Sequence, residues 1–179
     1  VWTLRTTRVT AVAACRWLLL AAWPLNVLFT GLLAVTVVLG LVTEQSVIVR
    51  ASLTLAAHYA IGLNGSFALH ELGHLAVLAR AKGVTAITLE RSLWRTSISP
   101  HGRLGDRDAA LAALAGPGAC VGVGVILWLS APSLQLHGWY LAHVVFLIPS
   151  FADGRTLLSA AHRGAADAAR RRRERRGNR

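Results

Sequence analysis

Ser66-Phe67-Ala68-Leu69-His70-Glu71-Leu72-Gly73-His74-Leu75-Ala76-Val77-Leu78 closes an apolar stretch that begins at Ala51. A membrane helix needs about 20 mostly apolar residues, and residues 51–78 supply them with one charged residue, Glu71. Gly62, Asn64 and Gly65 fall inside the stretch and predict a kink or tilt. On a helix, residues four apart share a face, so His70 and His74 point the same way, with Glu71 beside them.

Working outward, three more stretches have the length and apolarity of a membrane helix. They are residues 17–42, with Pro24 near the start, residues 109–131, and residues 136–161, interrupted by Pro149 and by Asp153-Gly154. Composition agrees. Of the 179 residues, 54% are hydrophobic and 15% charged, against about 25% charge in a soluble domain, and the mean hydropathy is +0.51. The predicted fold class is an all-α polytopic membrane protein with about four transmembrane helices. The run after Arg16 is too long for a typical signal-peptide core and reads as a retained helix.

The formal net charge is +11, a value that raises nucleic-acid binding as a first thought. The basic residues, however, flank the apolar spans. Arg5, Arg8 and Arg16 lie in segment 1–16; Arg80, Lys82, Arg91, Arg95, Arg103 and Arg107 lie between the second and third spans; the arginine-rich segment 162–179 follows the fourth. Glu44 and Arg50 cancel between the first two spans, and no charge separates the last two. Alternating basic segments put both termini and the loop after the second span on the cytoplasmic side. The expected surroundings are a lipid bilayer and the expected location an integral, multi-pass position in a bacterial cell membrane, with no nucleic acid as partner. The oligomeric state is left open. Cys15 and Cys120 form no CxxC pair and read as small buried or membrane-edge residues.

Residues 84–90 and 94–99 are rich in β-branched side chains and partly alternate, which predicts a short β-hairpin-like segment over 84–99, after the helix that carries His70 and His74. Pro100, Gly102 and Gly105 should then break the chain, and Asp106 or Asp108 should cap the third span.

His70-Glu71-Leu72-Gly73-His74 matches H-E-x-x-H. Zinc accepts two imidazole nitrogens and an oxygen and leaves a fourth position for water. Glu71 is placed to take a proton from that water and pass it to a leaving amine. The plain alternative is a pair of helix histidines satisfied by packing. Against it, a charged residue near the bilayer centre costs on the order of 3 kcal/mol, which packing alone does not justify. A catalytic site needs a third protein ligand. Asp153 is the only acid within the later spans, on a segment that Pro149 and Gly154 should unwind; it could instead cap a following short helix. His143 is the second candidate. His58, His101, His137 and His162 read as satisfied or interfacial.

Three segments together resemble the site-2 protease family of intramembrane zinc metalloproteases. Phe67-Ala68-Leu69-His70-Glu71-Leu72-Gly73-His74-Leu75 is similar to its zinc-binding helix, Ala115-Gly116-Pro117-Gly118-Ala119 to its small-residue motif, and Ile148-Pro149-Ser150-Phe151-Ala152-Asp153-Gly154-Arg155 to its aspartate-glycine motif. The resemblance covers about residues 51–161. It implies a core over 17–161, a bound Zn2+, His70, His74 and Asp153 as metal ligands, and Glu71 as the catalytic base. The reaction it implies is hydrolysis of a peptide bond in a transmembrane protein or peptide near the cytoplasmic face, with the segment at 84–99 pairing to an unwound substrate. The chain departs from the family at Phe146 and Cys120, where the family often has Asn, and the stretch from Pro149 to Asp153 is one residue short. These positions help hold substrate in the family, so the departures keep open a zinc-binding membrane scaffold or chaperone that does not cleave.

Overall fold

The computed structural model describes residues 2–6, 10–91 and 96–177. In chain order the elements are β1 (Trp2–Thr6), α1 (Ala11–Ala21), α2 (Trp23–Val42), α3 (Ser46–Ala57), a π-helical segment (His58–Asn64), α4 (Gly65–Leu78), β2 (Val84–Arg91), β3 (Thr96–Gly102) and α5 (Asp106–Ser130), then a 3-10 turn (Pro132–Leu134), α6 (His137–Leu141), a 3-10 segment (Ala142–Leu147) and α7 (Ala152–Gly177).

Three helices are long and apolar enough to cross a membrane: α2 with 20 residues, the continuous rod Ser46–Leu78 with 33, and α5 with 25. At 1.5 Å per residue, even α2 reaches the roughly 30 Å of a hydrocarbon core. A fourth unit, His137–Leu147 with Ala152–Ala166, meets the same criterion only as a pair bent by 42°.

The first apolar run, expected as one span over 17–42, is two helices. They part at Ala22 (φ −92°, ψ 13°), and Pro24 sits in the first turn of α2. A proline ring clashes with the carbonyl four residues earlier and lacks an N–H, so it opens a helix more readily than it continues one. The amide of Asn26 donates to the carbonyl oxygen of Leu19 at 3.0 Å, satisfying a group freed by the break. The second rod begins at Ser46 rather than Ala51. Where a glycine-induced kink was expected, it widens into the π-helical turn around Gly62. Tyr59 on that turn donates to Oδ1 of Asn26 at 2.6 Å and stacks on Phe29 at 3.9 Å, tying the rod to α2.

The two strands that follow α4 join β1 in a three-stranded antiparallel sheet, ordered β1-β2-β3. The hairpin expected over 84–99 is β2 paired with β3; Trp94 and Arg95 lie outside the described residues. Three corrections apply. Pro100 does not break the chain but pairs with Ile87 inside β3, which a proline tolerates because β3 is an edge strand. The basic segment 1–16 supplies β1, with Leu4 opposite Leu89, and the beginning of α1. Ile87 and Leu89 pack with Ala14, Leu75, Leu78 and Ala112 into one buried cluster, so the sheet closes the end of the bundle where α4 stops and α5 starts. Gly105, not Asp106 or Asp108, occupies the cap position of α5; both acids lie in the first turn, where their charge complements the helix dipole.

Candidate metal centre

α4 carries His70 and His74 one turn apart on its buried face, at 5% and 9% exposure. Their Nε2 atoms are 3.0 Å apart. Oδ2 of Asp153, from the first turn of α7, lies 3.2 Å from His70 Nε2 and 3.5 Å from His74 Nε2. The site is therefore where α4 meets the start of α7, with α5 packed behind it.

Close backbone approach makes this possible. A Cβ at Gly73 would lie 2.8 Å from Cα of Gly116, and a Cβ at Gly116 would lie 2.6 Å from Cε1 and Nε2 of His74. The small residues at 73 and 116 thus let α4 and α5 touch backbone to backbone and leave room for the His74 ring. Pro117 beside them is fully buried. Gly154 does the same at the other element: a Cβ there would lie 2.5 Å from the carbonyl oxygen of Leu147. Only a bare Cα lets α7 start against the break at 148–151, which sets Asp153 over α4. The sequence expectation put Asp153 on the unwound segment itself; it lies instead one residue inside α7, because the turn is completed by Ser150 and Phe151 before the helix begins.

The donor set fits zinc. Ligand atoms held by one tetrahedral zinc at about 2.0–2.1 Å are about 3.3 Å apart, and the three separations here bracket that value. The unused nitrogen of His74 is also placed for it. Nδ1 of His74 is 2.7 Å from the carbonyl oxygen of Ala112. A carbonyl can only accept, so Nδ1 carries the proton and Nε2 of a neutral ring keeps its lone pair for a metal. Glu71 is partly buried and within electrostatic reach of His74, His70 and Asp153.

His143, the second candidate for the third ligand, is 2% exposed and lies on the other side of His70, with the two Nδ1 atoms 3.1 Å apart. His70, Cys120 and His143 make a second buried grouping that could hold a metal ion. Cys120 was not singled out for metal by its sequence context, since no neighbour shares its helix face at ligand spacing. It is wholly buried and its thiol donates to the carbonyl oxygen of Ser66 at 3.2 Å. Phe146 walls the same side, its ring centroid 4.9 Å from that of His70, 5.2 Å from His143 and 5.1 Å from Phe151.

The remaining histidines stand elsewhere. The indole of Trp139 donates to Nδ1 of His58 at 3.0 Å, Nε2 of His101 lies 2.7 Å from Oγ1 of Thr88 in the sheet, and His162 is exposed on α7. His137 is half-buried at the start of α6, and its Nδ1 has no hydrogen-bond partner among the described residues. No protein-family model, curated protein or solved structure matches this chain.

Proposed function

We propose that this chain is a multi-pass membrane metalloprotease of the site-2 protease kind, which binds one zinc ion through His70, His74 and Asp153 and cleaves a membrane-embedded or membrane-associated protein or peptide. The observation that carries the reading is the convergence of His70 Nε2, His74 Nε2 and Asp153 Oδ2 at 3.0, 3.2 and 3.5 Å beside an acid, Glu71. Zinc, when bound, supplies Lewis acidity at a peptide carbonyl and eases deprotonation of water. Glu71 accepts the proton of the attacking water and returns it to the leaving amine, so that one water is consumed for each peptide bond broken. His74, held by the Ala112 carbonyl, keeps its ring in one orientation. Phe146, packed against the His70 ring, limits water on that side.

Membrane residence is supported by the exposed apolar surface of α2, where Leu28 is 70% and Val42 77% exposed; water would not tolerate so continuous a patch on a lone soluble domain. The basic residues around the sheet and along α7 favour the cytoplasmic side for that end of the bundle. His70 lies eight residues before the end of α4, or about 12 Å along its axis, which sets cleavage towards the cytoplasmic half of the membrane. A membrane helix hides its carbonyls in internal hydrogen bonds, so the substrate must unwind locally.

The test is elemental analysis of detergent-purified protein. One zinc per wild-type chain, lowered in both His74→Ala and Asp153→Ala, is the expected result; zinc lost in the first and unchanged in the second would exclude Asp153 as a ligand. Phe146 favours a second reading, a zinc-binding scaffold or chaperone without protease activity, because a phenyl ring at that position offers no hydrogen bond to a substrate backbone. That reading requires Glu71→Gln to preserve cellular function.

A further inference from the structure

Resting on the metal centre proposed above, we infer that His143 is the positioning residue of His70, accepting on its own Nδ1 the proton that His70 carries on Nδ1. A neutral imidazole has one N–H and one lone pair. If His70 offers Nε2 to a metal, its proton sits on Nδ1, and that buried donor needs an acceptor. For His74 the acceptor is the Ala112 carbonyl at 2.7 Å. For His70 it is another imidazole, His143 Nδ1, at 3.1 Å. His143 must then be the tautomer protonated on Nε2.

The packing holds His143 to this task. It sits on the 3-10 segment Ala142–Leu147, is 2% exposed, meets Phe67 edge-on at 4.9 Å and leans on Phe146 at 5.2 Å. With no acceptor there, His70 would keep an unpaired buried N–H or turn its ring and present the wrong nitrogen.

His143 could instead join Cys120 as a ligand on the far side of His70. That would make His70 bridge two metals through both nitrogens and give up its last proton, and it would break the thiol's hydrogen bond to Ser66. A single hydrogen bond requires none of this. Removing such an outer partner of a metal ligand typically weakens metal binding about 10–100-fold.

Zinc affinity of the purified full chain, read by competition with a chromophoric chelator, tests the assignment. His143→Phe keeps a ring and removes the acceptor; it should weaken zinc about 10–100-fold. His143→Asn places an amide oxygen near the lost Nδ1 and should restore most of that affinity, whereas Cys120→Ala should leave it unchanged. Wild-type affinity in His143→Phe, or equal losses in the Phe and Asn variants, would overturn the positioning role while leaving the metal centre standing. A loss in Cys120→Ala as large as in His143→Phe would also overturn it, making both residues ligands. A folded wild type that takes up no zinc would instead overturn the metal centre, and the positioning role with it.

Discussion

Glu71 and Gly116 show how differently single residues serve one site. Glu71 lies beside both histidines without being needed to hold them in place; its proposed work is proton transfer. Glu71→Gln should therefore retain one zinc per chain while peptide cleavage falls about 10²–10⁴-fold. Cleavage at the wild-type rate in a zinc-loaded Gln variant would move the base elsewhere. Gly116 does no chemistry, yet its missing Cβ is the space in which the His74 ring stands. Gly116→Val should cost about 1–3 kcal/mol through overpacking and lower bound zinc, measured by thermal melting and metal content. Gly118, two residues on, faces open space, so Gly118→Ala should bind zinc like the wild type and melt no lower.

At the scale of elements, the breaks matter more than the spans. The start of α7 is pinned because Gly154 abuts the Leu147 carbonyl, and that start is what brings Asp153 to α4. A side chain at 154 should push the two backbones apart and act on the metal like loss of the ligand itself. Gly154→Val should lose zinc to about the extent of Asp153→Ala, while Gly138→Ala, which meets nothing within 4 Å, should not; zinc per chain distinguishes them. The same element carries an ion pair that should matter little. Nε of Arg163 donates to Asp106 at 2.6 Å, but the side chains are 56% and 39% exposed, and pairs of that kind contribute about 0–1 kcal/mol. Asp106→Asn should leave both melting and metal content nearly unchanged.

For the whole molecule, metal and fold should be linked. A ligand that binds only the folded state stabilises it by about 2.7 kcal/mol at a free concentration one hundred times its Kd. Chelation should therefore lower the melting temperature of the wild type in detergent, and His74→Ala should show no such dependence. Orientation has its own test. Cysteines introduced at Gln135 and Glu44 should react with an impermeant thiol reagent applied outside intact cells, and one at His162 only after permeabilisation. Labelling of His162→Cys from outside would invert the proposed topology.

Much of this was legible along the chain. His70 and His74 share a face because a helix repeats every 3.6 residues, and the β-branched alternation of 84–90 marked β2 as a strand. Apolar length marked the three long helices. These are local properties, set by contiguous residues. What only the tertiary structure decided involves partners distant in sequence. Trp2–Thr6 became a strand because β2 offered an edge, and residues 17–42 became parts of two helices because Pro24 opens one while α1 packs on the end of α4. The sequence named Asp153 and His143 as candidates for the same role. Packing separates them: the close contact at Gly154 sets Asp153 against the Nε2 atoms of both histidines, while the 3-10 segment Ala142–Leu147 sets His143 against Nδ1 of one. Periodicity can say which face a side chain occupies, but which group meets it there depends on how closely two backbones can approach.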